Sequence, residues 1–274
     1  MLSSMPAGLS NCLPAETIHL KIKSRIDNSF NYYLLSAHRE RKSMFIVMSL
    51  GGSILAGDLD AARFKTYAEA ILKISEKHKL LLVVGGGVYA RKYIEAARGI
   101  GADEVTCDFI GIDVTRLNAK LFISALGKAA YPEVPTNYNE AAIAAESGKI
   151  VVMGGVIPGQ TTDAVSAALS EYLGADLFLI PTSVDGIYSA DPNVDKNAVK
   201  YKTLTGSELV RMSGVTSLKA GSKSPIDPVA CKLIERSGVR TIVLDGRNPE
   251  TLLKIIEGEE KGPQKECEGT IITP

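Results

Sequence analysis

The sequence predicts an α/β fold in which helices cover both faces of a mostly parallel β-sheet. From Met44 onward, short apolar runs alternate with longer helical stretches, a pattern typical of parallel sheets. Several of these runs end in glycine pairs or triplets, as strands do when they lead into tight loops. The chain has 274 residues, of which 45% are hydrophobic and 23% charged, which suits a well-buried core.

Six apolar runs are predicted as strands, and the stretches between them as helices. The predicted strands span residues 45–50, 80–84, 150–153, 177–180, 239–244 and 269–273. The predicted helices span residues 59–78, 104–126, 139–146, 162–173, 226–237 and 249–257, with another ending near Arg98. Thr205 and Glu208 have the spacing of a capping box, which predicts one more helix start.

The first 43 residues differ from the rest because they show polar turns and no sustained hydrophobic period. Since Met44 could itself start a protein, we expect residues 1–43 to be an extension outside the fold and residues 44–274 to form the domain. The alternative is an appended arm with a role of its own. No apolar run approaches the ~20 residues of a membrane helix, and a signal-peptide core is not evident. We therefore expect a cytoplasmic protein without membrane association.

The balance of charges and the spacing of cysteines and histidines exclude some functions. The 31 Lys and Arg residues balance 31 Asp and Glu residues, which argues against a nucleic-acid partner because such proteins usually carry a basic surplus. The four cysteines show no CxxC pairing and the three histidines no metal-type cluster, so free thiols in a reducing cytosol are expected. His78, which lies among lysines near a predicted helix end, is expected to be solvated.

Three predicted strand ends lead into glycine-rich loops, at Gly51-Gly52, at residues 85–87 and at Gly154-Gly155. Glycine lets backbone N–H groups approach phosphate oxygens, and a following helix adds partial positive charge at its N-terminus. Any one of these loops could be a plain turn. Because carboxyl ends of parallel strands share one sheet edge, three together predict a phosphate-binding site there.

Two common phosphate motifs do not fit these loops. A P-loop needs Lys and Ser or Thr after its second glycine, but Asp58 and Leu59 follow Gly57. The spacing of Gly85, Gly87 and Ala90 matches a dinucleotide fingerprint only nominally. The acidic residue expected about 20 positions on should end a strand, whereas Asp103 and Glu104 start a predicted helix.

Two further segments carry groups suited to a nucleotide. Residues 154–163, GGVIPGQTTD, offer glycine N–H groups, two hydroxyls and an amide, although Thr161 and Thr162 could simply cap a helix. Residues 182–192, TSVDGIYSADP, place an aromatic ring beside two acids, which could suit a base and a ribose. Their Asp-Gly and Asp-Pro pairs are also turn formers, so a surface hairpin is the alternative.

Five segments together resemble the amino acid kinase superfamily and, within it, the archaeal-type uridylate (UMP) kinases. The resemblance covers residues 44–274, and its motifs are VVGGGVYARKYI, DFIGIDVTRLNA, MGGVIPGQTTDA, TSVDGIYSADP and IDPVACKLIERSG. Each is modest alone, but their order and spacing are specific. The resemblance implies a three-layer αβα sandwich, a homohexamer, and phosphoryl transfer from ATP, bound with Mg²⁺, to UMP in pyrimidine nucleotide synthesis.

The resemblance also implies roles for individual residues. Its ATP-binding residues are Gly51, Gly52, Gly87, Arg91, Thr182, Tyr188 and Asp191. Its UMP-binding residues are Gly86, Asp108, Val156, Ile157, Pro158, Gly159, Gln160, Thr161 and Thr162. Asp108 resembles the acid that hydrogen-bonds the UMP ribose. Asp163 resembles the acid that organises the catalytic centre, where Arg91 also acts, and no side-chain metal site is implied.

One position departs from the superfamily pattern. Many members carry a lysine on the first strand, two residues before the glycine pair, where this chain has Ser49. Such a lysine would stabilise the transferring phosphoryl group. Without it, this task falls to Arg91, Mg²⁺, backbone N–H groups, and Lys219 or Lys223, although Lys223 also fits an exposed loop.

Two other functions stay open on the sequence. One is a kinase of the same superfamily that acts on carbamate, acetylglutamate or an isoprenoid phosphate. The other is a nucleotide-binding storage or regulatory protein without catalysis, which the missing lysine permits.

Overall fold

The computed structural model describes residues 43–190, 192, 194–213 and 226–274. The predicted site residue Asp191 lies outside the described residues, as do Lys219 and Lys223. In the parts that the structure describes, every helix is too short or too polar to cross a bilayer.

Seven strands within the described residues form one sheet in the order β3-β2-β1-β4-β6-β7-β5. They are β1 (Phe45–Leu50), β2 (Lys79–Val84), β3 (Val151–Met153), β4 (Leu177–Thr182), β5 (Thr203–Thr205), β6 (Thr241–Asp245) and β7 (Gly269–Thr273). Strands β3, β2, β1, β4 and β6 pair in parallel. Strand β7 runs antiparallel to β6 and parallel to β5, so the predicted mostly parallel sheet is confirmed.

Nine α-helices lie in the described residues. They are α1 (Gly52–Leu55), α2 (Ala61–Ser75), α3 (Gly87–Gly99), α4 (Glu104–Leu126), α5 (Tyr138–Ala145), α6 (Thr162–Tyr172), α7 (Gly206–Ser213), α8 (Pro228–Ser237) and α9 (Glu250–Glu260). Side chains of Asp60, Asp103, Asn137, Thr161 and Asp227 cap helix N-termini, as these residue types do. Gly238 ends α8 in the left-handed conformation, with φ of 61°.

The sheet is covered on both faces, so the fold is a three-layer αβα sandwich. Because strand side chains alternate between faces, Ile46 and Met48 of β1 join a core with α2, α4 and α9, whereas Val47 joins a second core with α5, α6, α7 and α8. Burial of both faces explains why the central strands read as continuous apolar runs.

Three differences from the predicted elements have physical reasons. Strand β5 is only three residues long and mostly exposed, so it has no apolar run to mark it. Helix α1 begins inside the predicted Gly51-Gly52 loop. The expectation that His78 is solvated is wrong: its ring is buried, accepts a hydrogen bond from Met44 N–H at 3.0 Å and contacts Glu260 at 2.9 Å.

Candidate active site

The candidate site lies at the carboxyl edge of the sheet, where β1, β2, β3 and β4 end side by side. The loops that follow them begin at Gly51, Gly85, Gly154 and Ser183. The parallel topology therefore brings the starts of these four loops to one edge, as expected for ligand sites in open α/β sheets.

The first two glycine loops pack directly against each other. A Cβ atom on Gly52 would lie 1.9 Å from the backbone nitrogen of Gly87, and one on Gly85 would lie 2.3 Å from the nitrogen of Gly52. Gly87 also has φ of 66°. Glycine is thus required at these positions by backbone contact alone. The first turns of α1 and α3 start in these loops and leave N–H groups without intrahelical partners, which suits an anion.

A buried amide fixes the second glycine loop. The Nδ2 atom of Asn118, on α4, donates to the carbonyl of Gly85 at 2.9 Å and to that of Gly86 at 3.3 Å. Asn118 lies in the DFIGIDVTRLNA motif, where its role could not be told from the neighbouring residues.

The segment between β3 and α6, residues 154–161, is the β3–α6 loop. Its backbone is held from α4: the Thr115 hydroxyl accepts from Gly155 N–H at 2.7 Å, and Arg116 Nε donates to Gly155 O at 3.2 Å. The Tyr138 hydroxyl donates to Gln160 Oε1 at 2.8 Å. Ile157 lies 48% exposed in this loop, with Val156 and Pro158 half-buried beside it.

Asp108 contacts the β3–α6 loop directly. The Asp108 carboxylate, on α4, accepts a hydrogen bond from Gly159 N–H at 2.8 Å, and Gly159 has φ of 76°. Asp108, Ile112 and Arg116 follow each other at four-residue spacing and so share one helix face. That spacing is the sequence signal that could have identified Arg116.

Asp163 lies in the first turn of α6 and pairs with the residue that replaces the superfamily lysine. The Ser49 hydroxyl donates to Asp163 Oδ1 at 2.5 Å, and Ser49 is fully buried. Loss of solvent raises the pKa of Asp163 to about 6, the Ser49 hydrogen bond opposes this shift, and the charge of Asp227 adds to it. Asp163 is therefore a partly buried acid whose pKa lies well above that of an ordinary carboxyl.

A second acid, Asp227, lies close enough to Asp163 for its charge to act on it. The Thr161 hydroxyl, which caps α6 by accepting from Ala164 N–H, donates to Asp227 Oδ2 at 2.6 Å. Asp227 also caps α8 through Val229 N–H at 2.8 Å. Sequence reasoning missed Asp227, because a carboxylate before Pro228 reads as a plain helix cap.

The segment after β4 forms the other end of the site. The Tyr188 hydroxyl donates to Asp185 Oδ1 at 2.7 Å, and Lys200 Nζ contacts Asp185 Oδ2 at 2.9 Å. Although burial opposes it, these two hydrogen bonds lower the pKa of Asp185. Tyr188 also pairs with Lys200 in an antiparallel bridge, so this segment has the hairpin character that the sequence left open as an alternative.

Thr182, half-buried at the end of β4, accepts a backbone hydrogen bond from Gly246 at 2.8 Å.

Arg91 is exposed on α3, just over one turn after Gly87. It makes no hydrogen bond or ion pair with the described part of the chain, so its guanidinium is available to an anionic ligand. The described residues also contain no group of three or more His, Cys, Asp or Glu side chains that could hold a metal ion. A metal that arrives on nucleotide phosphates needs no such group, since Mg²⁺ commonly uses few protein ligands.

Comparison with known proteins gives consistent matches. The model of the amino acid kinase family matches residues 44–245. A uridylate kinase of Methanosarcina mazei is 59% identical over 230 residues, which are 84% of this chain and 99% of that protein. A uridylate kinase of Haloquadratum walsbyi is 49% identical over 221 residues, 80% of this chain and 92% of that protein.

Solved structures agree with this picture. The crystal structure of the uridylate kinase of Archaeoglobus fulgidus superposes with a TM-score of 0.74 at 42% identity, covering 84% of this chain and all of that chain. The UMP kinase of Bacillus anthracis superposes with a TM-score of 0.69 at 23% identity, covering 86% of this chain and 97% of that chain. At that identity the second match supports the fold alone.

Proposed function

The chain belongs to the amino acid kinase family, and we propose that it is a UMP kinase that transfers the γ-phosphoryl group of ATP to UMP. The observation that carries the proposal is the near-complete coverage of a uridylate kinase at 59% identity. The geometry supports it, because the glycine loops, Asp108 and the β3–α6 loop share one sheet edge. The products are UDP and ADP, as in pyrimidine nucleotide synthesis.

The acceptor side of the proposed site is the β3–α6 loop together with Gly86 and Asp108. The UMP-binding residues in that loop and at the start of α6 are Val156, Ile157, Pro158, Gly159, Gln160, Thr161 and Thr162. Asp108 has one carboxylate oxygen on Gly159, so its second oxygen can accept a ribose hydroxyl. Donors and acceptors of the half-buried loop would read the edge of the uracil ring.

The donor side is formed by the loops after β1, β2 and β4. We assign the ATP phosphates to Gly51, Gly52, Gly87 and Arg91, and the nucleoside part to Thr182, Tyr188 and Asp191. Mg²⁺ enters with ATP as the MgATP substrate, where it neutralises charge on the phosphates.

Phosphoryl transfer requires positioning and charge stabilisation more than covalent chemistry. The attacking oxygen of UMP belongs to a phosphate that is largely ionised near neutral pH, so no strong general base is needed. We assign the cationic role to Arg91. Asp163, ionised above about pH 6, would orient the cationic groups around the phosphoryl group during its transfer.

We further propose a cytoplasmic homohexamer. Its support in this chain is a set of four exposed apolar side chains along α4, two on each side of the exposed Asp113. These four side chains are Val105, Phe109, Leu117 and Leu121. Clusters of exposed apolar side chains commonly mark protein contacts.

A panel of acceptors tests the proposed function. The full chain with MgATP should release ADP with UMP but not with carbamate, acetylglutamate or isopentenyl phosphate. It should also prefer UMP to CMP, because a site that pairs with uracil leaves buried polar groups unpaired when the donor–acceptor pattern is reversed. Turnover with another acceptor would move the chain elsewhere in the family, and ATP binding without turnover would favour a non-catalytic nucleotide-binding protein.

A further inference from the structure

We propose that Ser49 is a positioning residue for phosphoryl transfer, because its hydroxyl holds the carboxylate of Asp163 between the proposed UMP-binding and ATP-binding sides of the site. The inference rests on the proposed function. It assigns a role to the position where many superfamily members carry lysine.

The fold gives Ser49 a rigid place from which to act. Strand β1 lies inside the sheet between β2 and β4, and Ser49 pairs with Val83 on β2. Because side chains alternate along a strand, Ser49 shares its face with Val47, which packs in the core that contains α6. The hydroxyl therefore points at the first turn of α6 from a fully buried position.

The contact is short and joins β1 to α6, two elements that are distant in sequence. Ser49 Oγ lies 2.5 Å from Asp163 Oδ1 and is separated from it by 114 positions in sequence. A hydroxyl that donates to a carboxylate forms a charge-assisted hydrogen bond, which is stronger than a neutral one. Asp163 Oδ2 accepts no hydrogen bond from the described residues, so one oxygen is fixed and the other can act in the site.

The groups that face Asp163 leave its charge uncompensated. Ser49 on β1 is a neutral donor, and Asp227 before α8 carries a like charge. The Cys231 thiol on α8 is neutral at physiological pH, because burial raises its pKa to about 12 and the charges of Asp227 and Asp163 add to that shift. No described cation pairs with Asp163. A lysine at position 49 would neutralise Asp163, whereas Ser49 orients it and preserves its negative charge for cationic groups around the phosphates.

A double-mutant cycle separates positioning from packing. The four proteins are wild type, Ser49→Ala, Asp163→Asn and the double variant. If Ser49 acts through the Asp163 carboxylate, Ser49→Ala alone should lower kcat by about 10-fold or more, the size expected for a hydrogen bond to a charged group, with the KM for UMP within about twofold. In the Asp163→Asn background, the same change should alter kcat by less than about twofold. Equal losses in both backgrounds would overturn the proposal.

A matched control removes a comparable buried hydroxyl away from the site. Ser170, on α6, is 1% exposed and donates to Ser166 O. Ser170→Ala should keep wild-type kcat once activity is normalised to folded protein by UMP-binding stoichiometry. A loss in Ser170→Ala as large as that in Ser49→Ala would show that any buried hydroxyl matters here, and would contradict a specific role for Ser49.

A titration of the Asp163 carboxyl by ¹³C NMR tests the inference without turnover. Because the Ser49 hydrogen bond stabilises the ionised form, Ser49→Ala should raise the pKa of Asp163, with the signal assigned by its absence in Asp163→Asn. An unchanged pKa would overturn the proposal whatever the activity. If wild type does not turn over UMP yet the pKa rises, the proposed function fails while the Ser49–Asp163 contact stands.

Discussion

The carboxylate of Asp108 on α4 accepts a hydrogen bond from the backbone N–H of Gly159 in the β3–α6 loop, at 2.8 Å and 51 positions away in sequence. The contact joins two segments that the sequence suggested separately, an acid inside a long helix and a glycine-containing loop. It gives Asp108 two tasks, since one oxygen orders the loop and the other remains available to a ligand.

Asp108→Ala should therefore raise the KM for UMP far more than the KM for ATP. The variant loses a charged acceptor worth about 1.5–3 kcal/mol, which corresponds to roughly 10- to 150-fold in binding. Steady-state kinetics with each substrate varied in turn would measure both constants. Glu257→Ala, at an exposed acid on α9, is the control and should leave both unchanged. Equal increases in the two KM values for Asp108→Ala would indicate a purely structural role.

Asp163→Asn should lower kcat by at least roughly 10²-fold, by analogy with the loss of one preorganised electrostatic group. Asn keeps the size of Asp and caps helices about equally well, and its amide oxygen can still accept from Ser49. The variant therefore tests charge. Loss in kcat and kcat/KM alike would mark an interaction made mainly in the transition state.

A calorimetric titration with UMP completes that experiment. Affinity for UMP should stay within a few-fold of wild type, since Asp163 lies at the start of α6 beyond the loop. A collapse of affinity would show that Asp163 belongs to the acceptor site and that its assigned role is wrong.

The raised pKa of Asp163 also predicts how stability depends on pH. Burial and Asp227 raise its pKa from an ordinary value near 3.8 to about 6, so folding disfavours the ionised form. The stabilisation that Asp163 provides when protonated is fully present below pH 3.8 and is lost as pH rises through 6. Asp163→Asn should therefore melt higher than wild type at pH 7.5, by about 2–4 °C for each 1 kcal/mol.

Thermal melts from pH 4 to 8 would measure this difference. It should shrink toward pH 4, because Asp163 is then protonated in the folded state and approaches half protonation in the unfolded state. Part of the gain at pH 7.5 is offset, because a carboxylate in the first turn of α6 interacts favourably with the helix dipole. A variant that is less stable than wild type at pH 7.5 and equally stable at pH 4 would contradict the raised pKa.

A protein that starts at Met44 should fold and retain activity. The first residues of the sheet find their partners within residues 44–274: Met44 N–H donates to His78 Nδ1, Phe45 N–H to Asp176 Oδ2, and Lys79 N–H to Met44 O. Removal of residues 1–43 should thus leave kcat within about twofold and circular dichroism unchanged. A folded but inactive Met44-start protein would assign residues 1–43 a functional role.

Local signals were enough to predict most of the fold. Strand β1 occupies Phe45–Leu50 as predicted, because burial on both faces leaves a continuous apolar run. The capping box is also confirmed: Thr205 N–H donates to Glu208 Oε2 at 2.8 Å and Glu208 N–H to Thr205 Oγ1 at 3.2 Å. These features depend on neighbours within a few positions.

The parts of the site that sequence reasoning missed depend on distant partners. In the sequence, Ser49 is notable only because it stands where a lysine is common, and the fold shows that its hydroxyl donates to Asp163. In the sequence, Asp227 is typical of a helix cap, and only the fold shows that Thr161 donates to it. His78 is typical of a solvated residue, and only the fold shows its contacts with Met44 and Glu260. No local pattern encodes such pairings, because each joins elements that only the topology brings together.

Transfer of the γ-³²P label from ATP to UMP shows directly whether the chain is a UMP kinase. The purified full chain would be incubated with [γ-³²P]ATP, Mg²⁺ and UMP, and the nucleotides separated by anion exchange. We expect label in UDP, in an amount equal to the ADP formed, and a rate at least roughly 10²-fold lower for Asp163→Asn prepared identically. Retention of the label in ATP when UMP is present, or its transfer to another acceptor in preference to UMP, would show that the chain is not a UMP kinase.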